Sequence, residues 1–427
     1  MALWYNRRTP SFGASSVPDF FPFAGIRYDS SKPGADLTAR AAPPYDVIDE
    51  AQRVALERAH PENAVRLILP RDGEVDGDRY ARAASEYAAW CGEGVLVGDP
   101  APRFYGYRME FTDEHGRQRQ TTGVVGALTL PEPGVGGVLP HERTLAKAKS
   151  DRLSLLRATR LNLDPIWGLS LTEGLTGAID TTTLIGECTG EDGARHSLYA
   201  IDDPAAQRSI RDAVGANPLV LADGHHRFET ALTYRDERRR SGENDPGAEA
   251  IMTFVVELAD DQLSIEPIHR LVHLPGSSGL HEVLSDAFTV TPAGANTPEG
   301  VSELEDSMRA NGGMGLVDAN GLALLVADPA IAARALAGEP APVSGTDAAL
   351  FETVALPLLA GASIEYRHDA QGVAALVASG VADAALLLRP VSVADSRAAA
   401  LAGARMPQKT TFFAPKPRTG MVFRSLD

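Results

Sequence analysis

The chain has 427 residues, 44% of them apolar, and a formal net charge of −17. That apolar content supports a real core and excludes wholesale disorder. The charge argues against general nucleic-acid binding and against an anionic membrane surface, while leaving room for one local basic pocket. Two widely separated cysteines, Cys91 and Cys188, offer neither a disulfide framework nor a CxxC pair, which fits a reducing compartment.

Residues 1–19 show little periodicity and read as a loose arm without the apolar core of a signal peptide. No run of about 18 apolar residues occurs, so no transmembrane helix is expected and the chain reads as a soluble cytoplasmic protein. Phe20 to Tyr28 reads as extended. Ala42-Pro43-Pro44-Tyr45-Asp46-Val47-Ile48 puts two prolines, which favour extended backbone, before an apolar strand-like end. A helical pattern starts at Asp49 and runs to Ala59. Asn63 to Leu69, ended by Pro70, is a buried-strand candidate. Tyr80 to Trp90 has helical spacing. Phe104–Phe111 and Arg119–Leu128 read as a hairpin around an Asp113–Gly116 turn.

The Gly-rich 131–138 loop leads to His141-Glu142-Arg143-Thr144, and 145–159 reads as a charged helix. Strands are expected at 165–171, 196–201, 251–258 and 267–272. From about Pro275 the chain becomes rich in Ala, Leu and Gly, with short strands such as 322–326 and 384–388 between helices. The expected organisation is an arm (1–19), a mixed α/β core (20–275), a second α/β part (276–405) and a basic tail packing back on the core (406–427). The fold class is α+β or mixed α/β.

The most informative stretch is Leu219 to Leu232. An apolar run ends in Asp223-Gly224, two histidines and Arg227 follow, and then an amphipathic segment begins. That order predicts strand, tight turn and helix. Backbone amides and cations meet at such a helix start, where phosphates bind well. Gly224 permits a positive φ, Arg227 can grip a phosphate bidentately, and Asp223 can help hold Mg²⁺, which takes one or two carboxylates plus phosphate oxygens. His225 or His226 can contact phosphate or move a proton. The bland alternative is a junction that needs glycine, with histidines capping the helix.

Three further segments carry charge. Glu142 can serve as a general base, with Lys147, Lys149, Asp151 and Arg152 after it; the same pattern also fits a solvated helix with i,i+3 and i,i+4 pairs. Asp46 follows the double proline and could equally be a helix N-cap. The tail from Lys409 through Lys416 to Arg418 is basic and Pro-rich, with no acid before Asp427, and Phe412 and Phe413 suggest that it packs. No GxxxxGK[ST], GxSxG or GxGxxG motif is present.

These four segments together, Ala42–Val47, His141–Thr144, Ala222–Arg227 and Met406–Lys416, resemble the "domain of unknown function" ten-fifteen family over nearly the whole chain, from about Phe20 to Phe423. One departure is Gln408, where the family pattern suggests proline. More locally, Asp223-Gly224-His225-His226-Arg227 is similar to the phosphate-binding turn of the ParB and sulfiredoxin-like superfamily, whose free serine kinases phosphorylate L-serine using ATP or ADP and Mg²⁺. That resemblance implies a ParB/sulfiredoxin-like nucleotide-binding core. It implies phosphates held by Gly224, His225, His226 and Arg227, with Asp223 on Mg²⁺. Glu142 or Asp46 would be the proton acceptor, with His226 beside them. Further positive charge would come from Lys147, Lys149, Arg152, Lys409 and Lys416. The expected partners are a nucleotide and a small molecule. A nucleotide-binding regulatory protein of the ParB type and a metal-dependent hydrolase are the competing readings.

Overall fold

The computed structural model describes residues 17, 19–31, 37–72, 78–113, 116–132, 137–140, 149–274 and 280–427. The chain forms two compact units. Among the described residues, one unit comprises those from 17 to 140, from 149 to 264 and from 415 to 427; the other comprises those from 265 to 414.

The first unit is built on a nine-stranded mixed sheet among the described residues. Its order is Val138–Pro140, Leu219–Asp223, Ile166–Ser170, Ala250–Glu257, Gln118–Thr129, Phe104–Thr112, Arg195–Ile201 and Leu184–Thr189, with Phe20–Phe21 also paired to Gln118–Thr129. Leu219–Asp223 runs parallel to Val138–Pro140 and antiparallel to Ile166–Ser170, which in turn lies parallel to Ala250–Glu257. The Phe104–Thr112 and Gln118–Thr129 strands form the expected hairpin.

Both faces of this sheet are covered, as the continuous apolar runs of its central strands require. Ile166, Leu219, Leu221, Ile251 and Val255 join Phe228 and Ala231 of the helix His225–Arg240 in one apolar cluster. On the other parity, Trp167 meets Phe254 and Phe254 meets Tyr107, both at 5.3 Å between ring centroids. Gly126 lets Phe20 lie flat on the sheet, since a Cβ there would stand 2.4 Å from the Phe20 ring.

Two local expectations are corrected. Asn63–Leu69 is not a strand; Val65–Ile68 forms a helical turn. The buried Asn63 side chain organises it, accepting from the Val65 N–H at 2.9 Å and donating to the carbonyls of Ala39 and Ala41. The strand-like end at 45–48 is instead a 3-10 turn, Tyr45–Val47. The helix after it, Glu50–Ala59, is capped by Asp49 rather than Asp46, through a capping box with Gln52.

The second unit has a six-stranded sheet among the described residues, ordered Phe288–Gly294, Gly321–Ala327, Met314–Asp318, Ala384–Leu387, His269–His273 and Ser363–Arg367. Every pairing is antiparallel. Strict alternation sends Val272, Leu316, Leu325 and Leu386 to one apolar cluster and Leu271, Val317, Leu324 and Leu387 to another, so each face of this sheet has its own core. Taken over both units, the architecture is mixed α+β with large sheets.

Candidate functional site

The Leu219–Asp223 strand ends at Asp223, and the 16-residue helix His225–Arg240 begins two residues later. Gly224 joins them in the left-handed region, at φ 87° and ψ 26°. A Cβ at this position would also lie 2.9 Å from Ile166 Cγ2 and 3.1 Å from Arg227 Nη2. The turn therefore needs glycine on both counts. His225, His226 and Arg227 form the first turn of the helix, where the positive end of its dipole lies.

Arg227 folds back on the strand end. Its Nη2 donates to Asp223 Oδ2 at 2.7 Å and its Nη1 to the Pro165 carbonyl at 2.6 Å. Lys416, nearly two hundred residues further on, places Nζ 3.0 Å from Asp223 Oδ1 and 2.7 Å from Asp46 Oδ2. Two carboxylates thus converge on one ammonium beside a helix start. The tail reaches this position through its own pairing with the first unit: Thr419 and Ala42 exchange backbone hydrogen bonds, and so do Phe423 and Ile26.

Charge complementarity holds the cluster ionised. Burial alone would raise the Asp223 carboxyl, but Lys416 and Arg227 hold it well below the usual carboxylate range. Burial would lower the Lys416 ammonium, yet Asp223 and Asp46 push it well above its ordinary value. Arg227 is stabilised as a cation in the same way, by Asp223 and the nearby Asp164, against its own burial.

Behind Arg227 lies a cleft of about 490 Å³, counting its open mouth. Tyr45, Arg152, Asp164, Thr230 and several leucines line it. Arg152 stacks over the Tyr45 ring at 4.4 Å, donates to Asp151 Oδ2 at 2.8 Å and reaches the Ile68 carbonyl at 2.7 Å. It serves as a wall of the cleft more than as a loose cation. Asp164 is buried and accepts from the Thr419 hydroxyl. Burial raises its carboxyl pKa despite the pull of Arg227.

Of the residues singled out from sequence, Asp46, Asp223, Gly224, His225, His226, Arg227, Arg152 and Lys416 all belong to this one region of the first unit. Lys409 belongs to the second unit, exposed and with φ 56°. Glu142 and Lys147 lie outside the described residues, as does the side chain of Lys149. Sequence reasoning passed over Asp164, Thr230 and Thr419. The faint signal for Asp164 is an acid followed by proline at the start of an apolar strand.

Two carboxylates within 3.0 Å of one Nζ define a point where a cation sits. Their hard oxygen donors suit Mg²⁺, which needs only one or two carboxylates when phosphate supplies the rest. Among the described residues, no group of three or more His, Cys, Asp or Glu is placed to hold a metal. Among them, too, no helix is long and apolar enough to cross a membrane.

Residues 20–348 match the family described as Protein of unknown function (DUF1015). The chain belongs to that family. The match includes the Asp46 and Asp223 segments of this DUF1015 protein and stops before Lys416. No curated protein matches the chain. Among solved structures it is similar to a free serine kinase in complex with AMP (12% identity, 65% of this chain and 83% of that one, TM-score 0.35). It is also similar to SbnI with C-terminal truncation from Staphylococcus aureus (14%, 69% and 85%, TM-score 0.38). A conserved hypothetical protein from Pyrococcus furiosus is a further match (11%, 68% and 92%, TM-score 0.35). These superpositions are loose.

Proposed function

We propose that this DUF1015 protein is a nucleotide-dependent phosphotransferase acting on a small hydroxyl compound, with a ParB/sulfiredoxin-like core around the Asp223–Arg227 turn. The observation that carries this reading is the convergence of Arg227 and Lys416 with Asp46 and Asp223 at the start of a long helix. Phosphoryl transfer asks a protein mainly for positioning and charge neutralisation. The helix start with Arg227 and Lys416 provides an anion cradle, and the two carboxylates provide the counter-surface that a phosphate–Mg²⁺ pair requires. Mg²⁺ bound there would neutralise phosphate charge.

In this scheme Lys416 and Arg227 exchange carboxylate oxygens for phosphate oxygens when nucleotide arrives. The acceptor oxygen attacks the terminal phosphorus and the bond to the bridging oxygen breaks. The nucleotide leaves one phosphate shorter, and the hydroxyl proton passes to a carboxylate. Asp46, whose Oδ2 pairs with Lys416 beside Asp223, is one carboxylate of the proposal for this role; Glu142 is the other. ATP or ADP is the donor, and a free hydroxy amino acid such as L-serine is the acceptor implied by the turn's resemblance.

Thermal melting with ATP, ADP and Mg²⁺, followed by assay of nucleotide turnover with L-serine and other hydroxyl compounds, tests the reading. A ligand bound only by the folded state raises the melting temperature. Lys416→Met and Arg227→Ala are each expected to weaken nucleotide binding at least tenfold. A protein whose melting no nucleotide shifts, and which consumes none with any hydroxyl compound, overturns it.

A further inference from the structure

The helix His225–Arg240 sends two residues three apart, Arg227 and Thr230, toward the same cleft, as helical spacing dictates. Arg227 spends its two terminal nitrogens on Asp223 and Pro165, while its buried Nε has no hydrogen-bond partner among the described residues. Thr230 is 4% exposed, and its hydroxyl likewise has none. A mid-helix threonine ordinarily returns its hydroxyl to the carbonyl four residues back; Thr233, one turn on, does so to Glu229 at 2.9 Å. Leaving a buried donor unsatisfied costs roughly 1–3 kcal/mol. Two such groups on residues lining one cleft mark the place of an oxygen that no described residue supplies.

Much of the remaining lining is aliphatic, Leu155, Leu156, Leu161, Leu163, Ala231 and Ile251 among it, while Asn162 in the wall already accepts from Met252 N–H and Arg424 through its Oδ1. The charged groups at its edge are already engaged, Arg152 by Asp151 and Arg227 by Asp223 or, once nucleotide is bound, by its phosphate. A buried carboxyl, Asp164, forms part of the wall. This lining suits neither a zwitterion nor a second phosphate. Small-molecule sites combine such an apolar surround with a few placed polar groups. Arg227 joins the cleft to the turn, since one guanidinium faces both Asp223 and the cleft.

We propose that this cleft is the acceptor subsite, taking a small uncharged alcohol with an aliphatic body, its oxygen held by Arg227 Nε and Thr230 Oγ1. The proposal rests on the phosphotransferase reading for the word acceptor, and it narrows the acceptor away from free serine.

The test uses the full-length protein, with isopentanol as the probe and L-serine as the polar control. Each is titrated by calorimetry with and without a non-hydrolysable ATP analogue and Mg²⁺, and each is assayed for phosphorylation with ATP. Isopentanol is expected to bind at least tenfold more tightly than L-serine. Thr230→Val, which keeps the shape and removes the hydroxyl, and Ala231→Leu, which fills the cleft, should each cut that affinity at least tenfold and leave the nucleotide analogue's affinity unchanged. Equal or tighter binding of L-serine overturns the proposal, as does isopentanol affinity indifferent to both variants. Loss of nucleotide binding with intact, variant-sensitive isopentanol binding overturns the phosphotransferase reading and leaves an alcohol-binding cleft. If either variant fails to fold, the other carries the comparison.

Discussion

At the scale of single residues, Gly224 is where geometry leaves least freedom. Its φ of 87° is expensive for any residue with a Cβ, and the added carbon would press on Ile166. Gly224→Ala should therefore cost roughly 1–3 kcal/mol, in line with other residues held in sparsely populated backbone regions. Urea denaturation measures this directly; an unchanged midpoint would show that the turn relaxes to negative φ without loss. The same turn was legible in sequence because the apolar run, the glycine and the helical periodicity agree with one another. The meeting of Asp223 with Lys416 was not. Each was visible as a charge, but the pairing joins residues 193 positions apart, and no local pattern encodes which distant charge arrives. Asp164 and Thr230 were less legible still, since a lone acid before proline and a threonine within a helix are ordinary residues until their neighbours are known.

At the scale of elements, the strands and helices with long, consistent periodicity matched expectation, and the short apolar run Val65–Ile68 did not. A run buried on every side has no polar face, so its period cannot be read. Asn63 decides the outcome, because one buried amide accepts from Val65 N–H and donates to two carbonyls from another segment. Replacing it leaves a buried N–H, the buried Ala41 carbonyl and the half-buried Ala39 carbonyl to find other partners. Asn63→Ala is expected to destabilise by about 3 kcal/mol, given the cost of orphaned buried polar groups. Asn63→Asp should be no better, since a carboxylate can accept from Val65 but cannot donate to Ala39 and Ala41. Comparing the two by chemical denaturation separates lost donation from lost packing: an Asp variant close to wild type would place the stabilisation in acceptance alone.

At the scale of the whole molecule, acid stability is shaped by one buried histidine in each unit among the described residues. His196, on the Arg195–Ile201 strand of the first sheet, is pushed down to about 3, chiefly by burial and then by Arg418. The same surroundings engage its Nδ1, which lies 3.0 Å from the Tyr107 hydroxyl, itself the acceptor of the Arg418 N–H at 2.9 Å. His269, in the second sheet, is also pushed down to about 3 by burial and then by Arg270, and its Nδ1 accepts from the Leu388 N–H at 3.1 Å. A folded-state value below the unfolded one means stability that is fully present above about pH 6.5 and lost as pH falls from there toward 3. Each histidine contributes a slope of about 1.4 kcal/mol per pH unit within that window. Between pH 6 and 4.5 the histidines pull stability down at up to that slope for a unit unfolding alone, and at up to twice it if both unfold together, while the raised Asp164 carboxyl of the first unit pulls the other way. The Asp223 carboxyl, held low by Lys416 and Arg227, adds its own loss only further down, once pH drops below the unfolded carboxylate value. Urea titrations at half-unit steps of pH measure the slope. His196→Gln should flatten the dependence of the first unit while leaving that of the second intact, and a wild-type stability that stays level from pH 6.5 to 4.5 would mean that these imidazoles find a way to charge inside the fold.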